Sequence, residues 1–228
     1  MRLLSKISLY NAGYVELLDS MGNDASIVRG ARICFQTDPD PKFDNGLLKT
    51  IVNLEHTSPL EQSGLIFKMK IPLFVRDQLV RHRIGMSYNI KSLRYCTASP
   101  EFYVPFFADT QAYTEWYKDC KDSFKKYEGW LQFFIDRGYS KGRAKELSRC
   151  HLPVGLYTEV LLSCNMGSMY HFWKLRCDPH AQQEIKDLAF AMFELASTVF
   201  PVTCSHISNK FSLEEYNGKE NLDKINQS

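Results

Sequence analysis

Residues 64 to 71 read Gly-Leu-Ile-Phe-Lys-Met-Lys-Ile, so that Leu65, Phe67, Met69 and Ile71 share one side of an extended chain while Lys68 and Lys70 take the other. This period of two is that of a half-buried strand. A strand with one apolar face commits the chain to a sheet covered on that face. Pro72 follows at the first position of a helix, where its missing N–H costs nothing, and Phe74, Val75, Leu79 and Val80 give that helix an inner stripe. Gln78 then shares an adjoining side with Arg81 and His82, one turn on. Gly85 ends the helix, and residues 87 to 95 are expected to be a loop.

The stretch RHRIGMSYNIKSLRY at 81 to 95 gathers Arg81, His82, Arg83, Lys91 and Arg94 among Ser87, Asn89, Ser92 and Tyr95. Guanidinium groups match phosphate oxygens two bonds at a time, so several beside a Gly-containing loop suit an anionic ligand. The alternative is that basic residues simply finish a helix, at its negative end. The net charge of +2 on 228 residues speaks against an extended nucleic-acid surface, so any anion site is local. The N-terminal MRLLSKISLYNAG lacks the apolar core of a signal peptide, and no later stretch approaches a membrane span. Seven scattered cysteines with no Cys-x-x-Cys pair argue against a disulfide framework or a zinc ribbon and point to a reducing, cytoplasmic setting.

Around the strand, the pattern predicts a first strand ending at Gly13, a short helix over 14 to 21 stopped by Gly22 and Asn23, and a helix through Ala31 capped by Asp24 or Ser26. Residues 38 to 41 form a turn, a helix runs from Gly46 to His56, and 58 to 61 turn again. The segment PEFYVPFF is a packed connection. Residues 112 to 137 make a long helix whose stripe of Trp116, Tyr117, Phe124, Tyr127, Trp130 and Phe134 is core or an oligomer contact. A helix over 141 to 150 brings Arg149 to its end; a strand over 156 to 164 leads to Asn165, which either meets a ligand or serves the turn, and a helix follows over 168 to 176. The last strong helix covers 180 to 200, and the polar tail is expected to be mobile. The expected class is α/β (α+β), a central sheet flanked by long helices, as one domain over 1–210 with a tail at 211–228. There is no Gly-x-Gly-x-x-Gly, no phosphate loop, no zinc spacing among His82, His180 and His206, and no cysteine beside a histidine in a pattern that recommends it as a nucleophile.

Arg81-His82-Arg83, followed by Ser92 and Arg94-Tyr95, resembles the signature of the flavin-dependent thymidylate synthases. HTSPLEQ at 56 to 62, FVRDQLVRHR at 74 to 83, LPVGLYTEV at 152 to 160 and LRCDPHAQQEI at 175 to 185 resemble further segments of that family in the same order, so the likeness runs from about residue 10 to residue 205. The resemblance implies a homotetramer with active sites where subunits meet. It implies FAD, reduced by NADPH, and transfer of the methylene of 5,10-methylenetetrahydrofolate to C5 of dUMP, giving dTMP without an enzyme nucleophile. By the same resemblance, Ser58, Glu61, Arg81, His82, Arg83, Asn89, Asn165 and His171 hold the flavin. Gln78, Ser92, Arg94 and Arg149 hold the nucleotide, His56 lies near the folate and flavin rings, and Arg176 is the catalytic arginine that favours the N3-deprotonated uracil. No metal, nucleic acid or membrane is implied. The chain departs from the pattern in four ways: the spacer from Arg83 to Ser92 is one residue longer than usual, Ile90 stands where the family carries Glu, His171 replaces an Asn, and Gln62 a His. These departures leave room for another uridine nucleotide or a 5-hydroxymethyl product. From a different class, a non-catalytic RNA-binding module would use Tyr88 and Tyr95 for stacking.

Overall fold

Among the described residues five strands form one antiparallel sheet: β1 (Ser5–Leu9), β2 (Gly13–Met21), β3 (Gly64–Pro72), β4 (Met86–Ile90) and β5 (Tyr157–Cys164), in the spatial order β1-β2-β3-β5-β4. The structure, a computed structural model, describes residues 5–34, 36–106 and 109–213. The central strand is the one that alternation identifies: Leu65, Phe67, Met69 and Ile71 are fully buried, and Lys68 and Lys70 stand on the opposite face. The apolar face is covered by helices α1 (Asp24–Ile33), α2 (Pro41–Asn53), α6 (Met166–Arg176), α7 (Gln183–Ser197) and α8 (Pro201–Phe211), whose buried residues join the strands in one core. The other face carries Lys68, Glu159, Leu161 and Ser163 in contact with solvent. Two more helices, α4 (Thr110–Asp136) and α5 (Lys141–Ser148), sit to the side over a smaller cluster of Phe102, Phe124, Tyr127 and Leu156. Among the described residues no helix is long and apolar enough to cross a membrane.

The structure corrects several local expectations. Residues 14 to 21 are strand β2, not a helix: Val15 and Leu17 face the core, and a bulge between Leu17 and Asp19 resets the register against β3. The extra residue of the bulge puts Tyr14, Leu17, Leu18 and Met21 at helix-like intervals, and pairing with β1 and β3 overrides that pattern. The first strand is accordingly shorter, closing a hairpin at Gly13, where a Cβ would come within 2.7 Å of the Leu9 carbonyl oxygen. Residues 86 to 90 are edge strand β4 rather than loop, with Ser87 and Asn89 outward and Met86, Tyr88 and Ile90 packed on the core.

Pro72 closes β3 and stands at the N-cap of α3 (Leu73–Leu79) instead of opening its first turn. Asn23, rather than Asp24 or Ser26, caps α1, in a reciprocal bond with Ser26. The expected helix over 180 to 200 is α7 alone, and Pro201 opens α8. The first N–H groups of α8, at Val202 and Thr203, donate to the Asp24 carboxylate at 3.0 and 2.9 Å. That cap comes from a residue far away in sequence, so the only local start signal is Pro201, which fits the end of one helix as well as the start of the next. Of the polar tail, residues 214–228 lie outside the described residues.

Candidate functional site

Arg176 ends α6 and points back at the turn that follows α3. Its Nε donates to His82 Nε2 at 2.9 Å, Nη1 to Gln78 Oε1 and Nη2 to the Gln78 carbonyl, both at 3.4 Å. All three acceptors are uncharged. Burial, and then the charge of Arg176, lower the pKa of His82 from the ordinary 6.5 to about 4, so the ring is neutral at pH 7 and free to accept. Its other face meets Phe172 edge-on, with centroids 4.9 Å apart. Burial also lowers the pKa of Arg176. Among the described residues, no carboxylate pairs with this half-buried guanidinium.

Gln78 has a second partner: its Nε2 donates to Gln182 Oε1 at 2.5 Å, and Gln182 Nε2 donates to Glu184 Oε2 at 2.7 Å. The turn carrying Arg81 and His82 is pinned from β4, where the Tyr88 hydroxyl reaches the carbonyl oxygens of Leu79 at 2.9 Å and His82 at 2.7 Å. Burial raises the pKa of that hydroxyl, keeping it a donor. Tyr88 is thus an anchor of the turn and not a stacking platform. Only the alternation of 86 to 90 in the sequence hints at this inward placement.

Beyond that turn, Gly85 adopts φ +65°, and a Cβ there would lie 2.1 Å from Ser168 Oγ and 3.1 Å from Asn165 Nδ2. Only glycine lets the loop come this close to the start of α6. Asn165 caps that helix, accepting from the Ser168 N–H at 2.8 Å and the Ser168 hydroxyl at 2.9 Å. Glu61, in the 3-10 turn Ser58–Glu61, lies against the same helix start, its Cγ 3.0 Å from the Cβ position of Gly167. A cleft of about 600 Å³ opens here, lined by Arg83, Gly85, Met86, Ser87, Ser163 and Asn165. The side chains of Arg81 and Arg83 are exposed and have no hydrogen bond or ion pair among the described residues.

The remaining candidates fall elsewhere on the chain. His56 and Ser58 line a second groove of about 550 Å³ with Ala31, Cys34, Leu47 and Ile51. Ser92 shapes the turn after β4 by accepting from the N–H groups of Arg94, Tyr95 and Cys96. Arg94 pairs with Glu146 of α5 at 2.6 Å, and Arg143 reaches the other oxygen of that carboxylate at 3.1 Å. The neighbouring Lys145 is buried, with Nζ donating to the Tyr95 carbonyl at 3.1 Å. The motif therefore does not announce Lys145 and Glu146, which dock its second half onto α5. Arg149 is exposed one turn further along. Asn89 faces outward on β4, His171 is exposed on α6, and Ile90 packs on the core beside Val160, where a carboxylate would be costly. The structure thus joins Gln78, His82 and Arg176, separately joins Arg83, Glu61 and Asn165 around the start of α6, and leaves His56 with Ser58 and Arg94 with Arg149 as outlying groups.

Residues 16–202 match the family described as thymidylate synthase complementing protein. Among similar proteins, the flavin-dependent thymidylate synthase of Treponema denticola is 32% identical over 95% of this chain and 89% of its own. That of Thermotoga neapolitana is 35% identical over 87% of this chain and 92% of its own. Among solved structures, a UMP/dUMP methylase, PolB from Streptomyces cacaoi bound with 5-Br dUMP, superposes with a TM-score of 0.76 at 26% identity, covering 89% of this chain and 97% of that one. The same enzyme bound with 5-Br UMP gives 0.73 at 26% identity, with coverages of 89% and 96%.

Proposed function

Because this chain belongs to the flavin-dependent thymidylate synthase family, we propose that it methylates C5 of dUMP to give dTMP, with 5,10-methylenetetrahydrofolate as carbon donor and NADPH as reductant through FAD. The observation that carries this reading is Arg176, a half-buried cation whose hydrogen-bond partners among the described residues are all neutral. Such a charge is worth most against negative charge that develops on a substrate ring, so it favours the N3-deprotonated pyrimidine and acts on turnover more than on binding. Gln78 stands beside it for the uracil edge. Arg94, Arg149 and Ser92 take the nucleotide phosphate, for which a guanidinium provides paired, charge-assisted bonds.

The cleft fits a flavin nucleotide in two respects: Arg83 lines it with a guanidinium that has no hydrogen bond or ion pair among the described residues, and Gly85 lets the loop approach the start of α6, so that this helix end forms part of the wall. The N-terminal end of α6 adds partial positive charge there. Ser58, Glu61, His82, Asn89, Asn165 and His171 complete the flavin side, and His56 lies toward the folate. Bound flavin supplies the hydride chemistry that no side chain here provides. The outlying position of the His56 and Arg94 groups supports sites completed between subunits of a homotetramer. The open face of the sheet and the exposed Tyr113, Trp116, Trp130 and Phe133 of α4 support the same assembly.

The test is tritium release from [5-³H]dUMP with 5,10-methylenetetrahydrofolate and NADPH, after the flavin band of the protein is shown to bleach anaerobically with NADPH. Bound flavin without tritium release would sink the proposal. A second reading, methylation of UMP or formation of a 5-hydroxymethyl product, is favoured by likeness to an enzyme named a UMP/dUMP methylase and by Ile90. Product mass from parallel dUMP and UMP reactions separates the readings.

A further inference from the structure

Of the segment LRCDPHAQQEI the reading above uses only Arg176, yet its second half is bonded back to the site. A chain of hydrogen bonds runs from Arg176 Nη1 to Gln78 Oε1 at 3.4 Å, from Gln78 Nε2 to Gln182 Oε1 at 2.5 Å, and from Gln182 Nε2 to Glu184 Oε2 at 2.7 Å. Glu184 is itself fixed: its Oε1 accepts from the Tyr103 hydroxyl at 2.8 Å, and its backbone carbonyl accepts from the Tyr10 hydroxyl. Tyr103 is held edge-on between Tyr10 and Phe74, each 5.3 Å away between centroids.

The two ends dictate the direction of the chain. A guanidinium only donates and a carboxylate only accepts, whereas an amide does either according to which way it is turned. With Arg176 at one end and Glu184 at the other, each amide must present oxygen toward the arginine and nitrogen toward the glutamate, which is the arrangement observed. Turning either amide over would set two donors against each other on one side and two acceptors on the other. We infer that Gln182 and Glu184 are positioning residues for the reaction: they lock the Gln78 amide with its oxygen toward Arg176 and so hold both groups in the pose that the pyrimidine meets. Neither has to touch the substrate. The inference rests on the proposed roles of Gln78 and Arg176, and the experiment keeps the two apart.

Gln182 is exposed, so its replacement leaves the core intact. Gln182→Glu sets a second carboxylate against Glu184, and their repulsion draws the new side chain away from Gln78 Nε2, which loses its acceptor and with it the fixed direction of its amide. The expected result is a fall in kcat/KM for dUMP of about tenfold, the scale of one displaced hydrogen bond, with bound flavin and the thermal midpoint unchanged. In the double variant Gln182→Glu with Glu184→Gln, the new glutamate accepts from amides on both sides and the direction of the Gln78 amide is restored. Its kcat/KM is expected to return to within about threefold of wild type, a recovery that damage to packing would not produce. Wild-type kcat/KM in Gln182→Glu, or a double variant no better than the single one, overturns the inference. A wild-type protein that neither binds nor methylates dUMP overturns instead the reading of the site on which it rests.

Discussion

Arg176 and Arg94 are both assigned to the nucleotide, but the fold treats them in opposite ways. Arg176 is half-buried, bonded to three neutral acceptors, and its pose is set before any ligand arrives. Arg94 is exposed and already paired with a carboxylate, Glu146, at 2.6 Å. A half-buried cation with uncharged partners keeps more of its field for the substrate than an exposed, paired one, because its surroundings are less screened and already oriented. An exposed one exchanges one anion for another and contributes the difference. The first is suited to chemistry on the ring and the second to capture of the phosphate.

The sharpest way to break this contrast is Arg176→Ala. Turnover should fall by about a hundredfold or more while bound flavin is retained, the scale seen when a preorganised electrostatic group is lost. Unchanged tritium release would show that the buried charge has no part in the reaction. Next in size, Arg94→Ala should raise the KM for dUMP by roughly ten- to a hundredfold with a smaller change in kcat, as expected for one or two charge-assisted bonds to a phosphate; a drop confined to kcat in steady-state kinetics would reverse the assignment of the two arginines.

A third effect comes from His82, whose pKa is lowered by burial and then by Arg176 from 6.5 to about 4. Between those values the unfolded chain binds the proton and the folded one does not, so this group's share of stability is complete above about 6.5 and is lost as pH falls toward about 4. Denaturant midpoints measured across that window should decline with falling pH in the wild type and decline less in His82→Gln. Equal slopes would remove the neutral acceptor from the account. The smallest effect belongs to Glu146→Gln, which releases Arg94 from an exposed pair and should lower the KM for dUMP by no more than a few-fold. A higher KM would mean that Glu146 orients the loop more than it competes with the phosphate.

How much of this was legible depends on the distance over which each feature is decided. The central strand, the inner stripe of α3 and the long amphipathic helix α4 follow from the periodicity of their own residues, and the structure agrees with all three. Strand β2 was not legible, because a bulge between Leu17 and Asp19 imitates helical spacing. Helix α8 was hidden for a different reason: Pro201 fits the end of one helix as well as the start of the next, and the carboxylate that caps α8 belongs to the distant Asp24. In the site, the types of side chain in RHRIGMSYNIKSLRY pointed to an anion-binding stretch, and the structure leaves Arg81 and Arg83 exposed there while Arg94 meets the Glu146 carboxylate. That Tyr88 faces inward and that Glu146 holds Arg94 depend on β4 joining β5 and on α5 packing beside the loop.

By itself, then, the sequence determined the family, the apolar face of the sheet and the identity of the charged groups, since these are properties of residue types and of spacing along one segment. Only the tertiary structure decided which guanidinium is left uncompensated, which is neutralised, and which way the Gln78 amide points. Those depend on burial and on hydrogen-bond partners brought from α3, β4, α6 and the start of α7. A charge and an amide have no fixed strength or direction until their surroundings remove water and supply the other half of each bond.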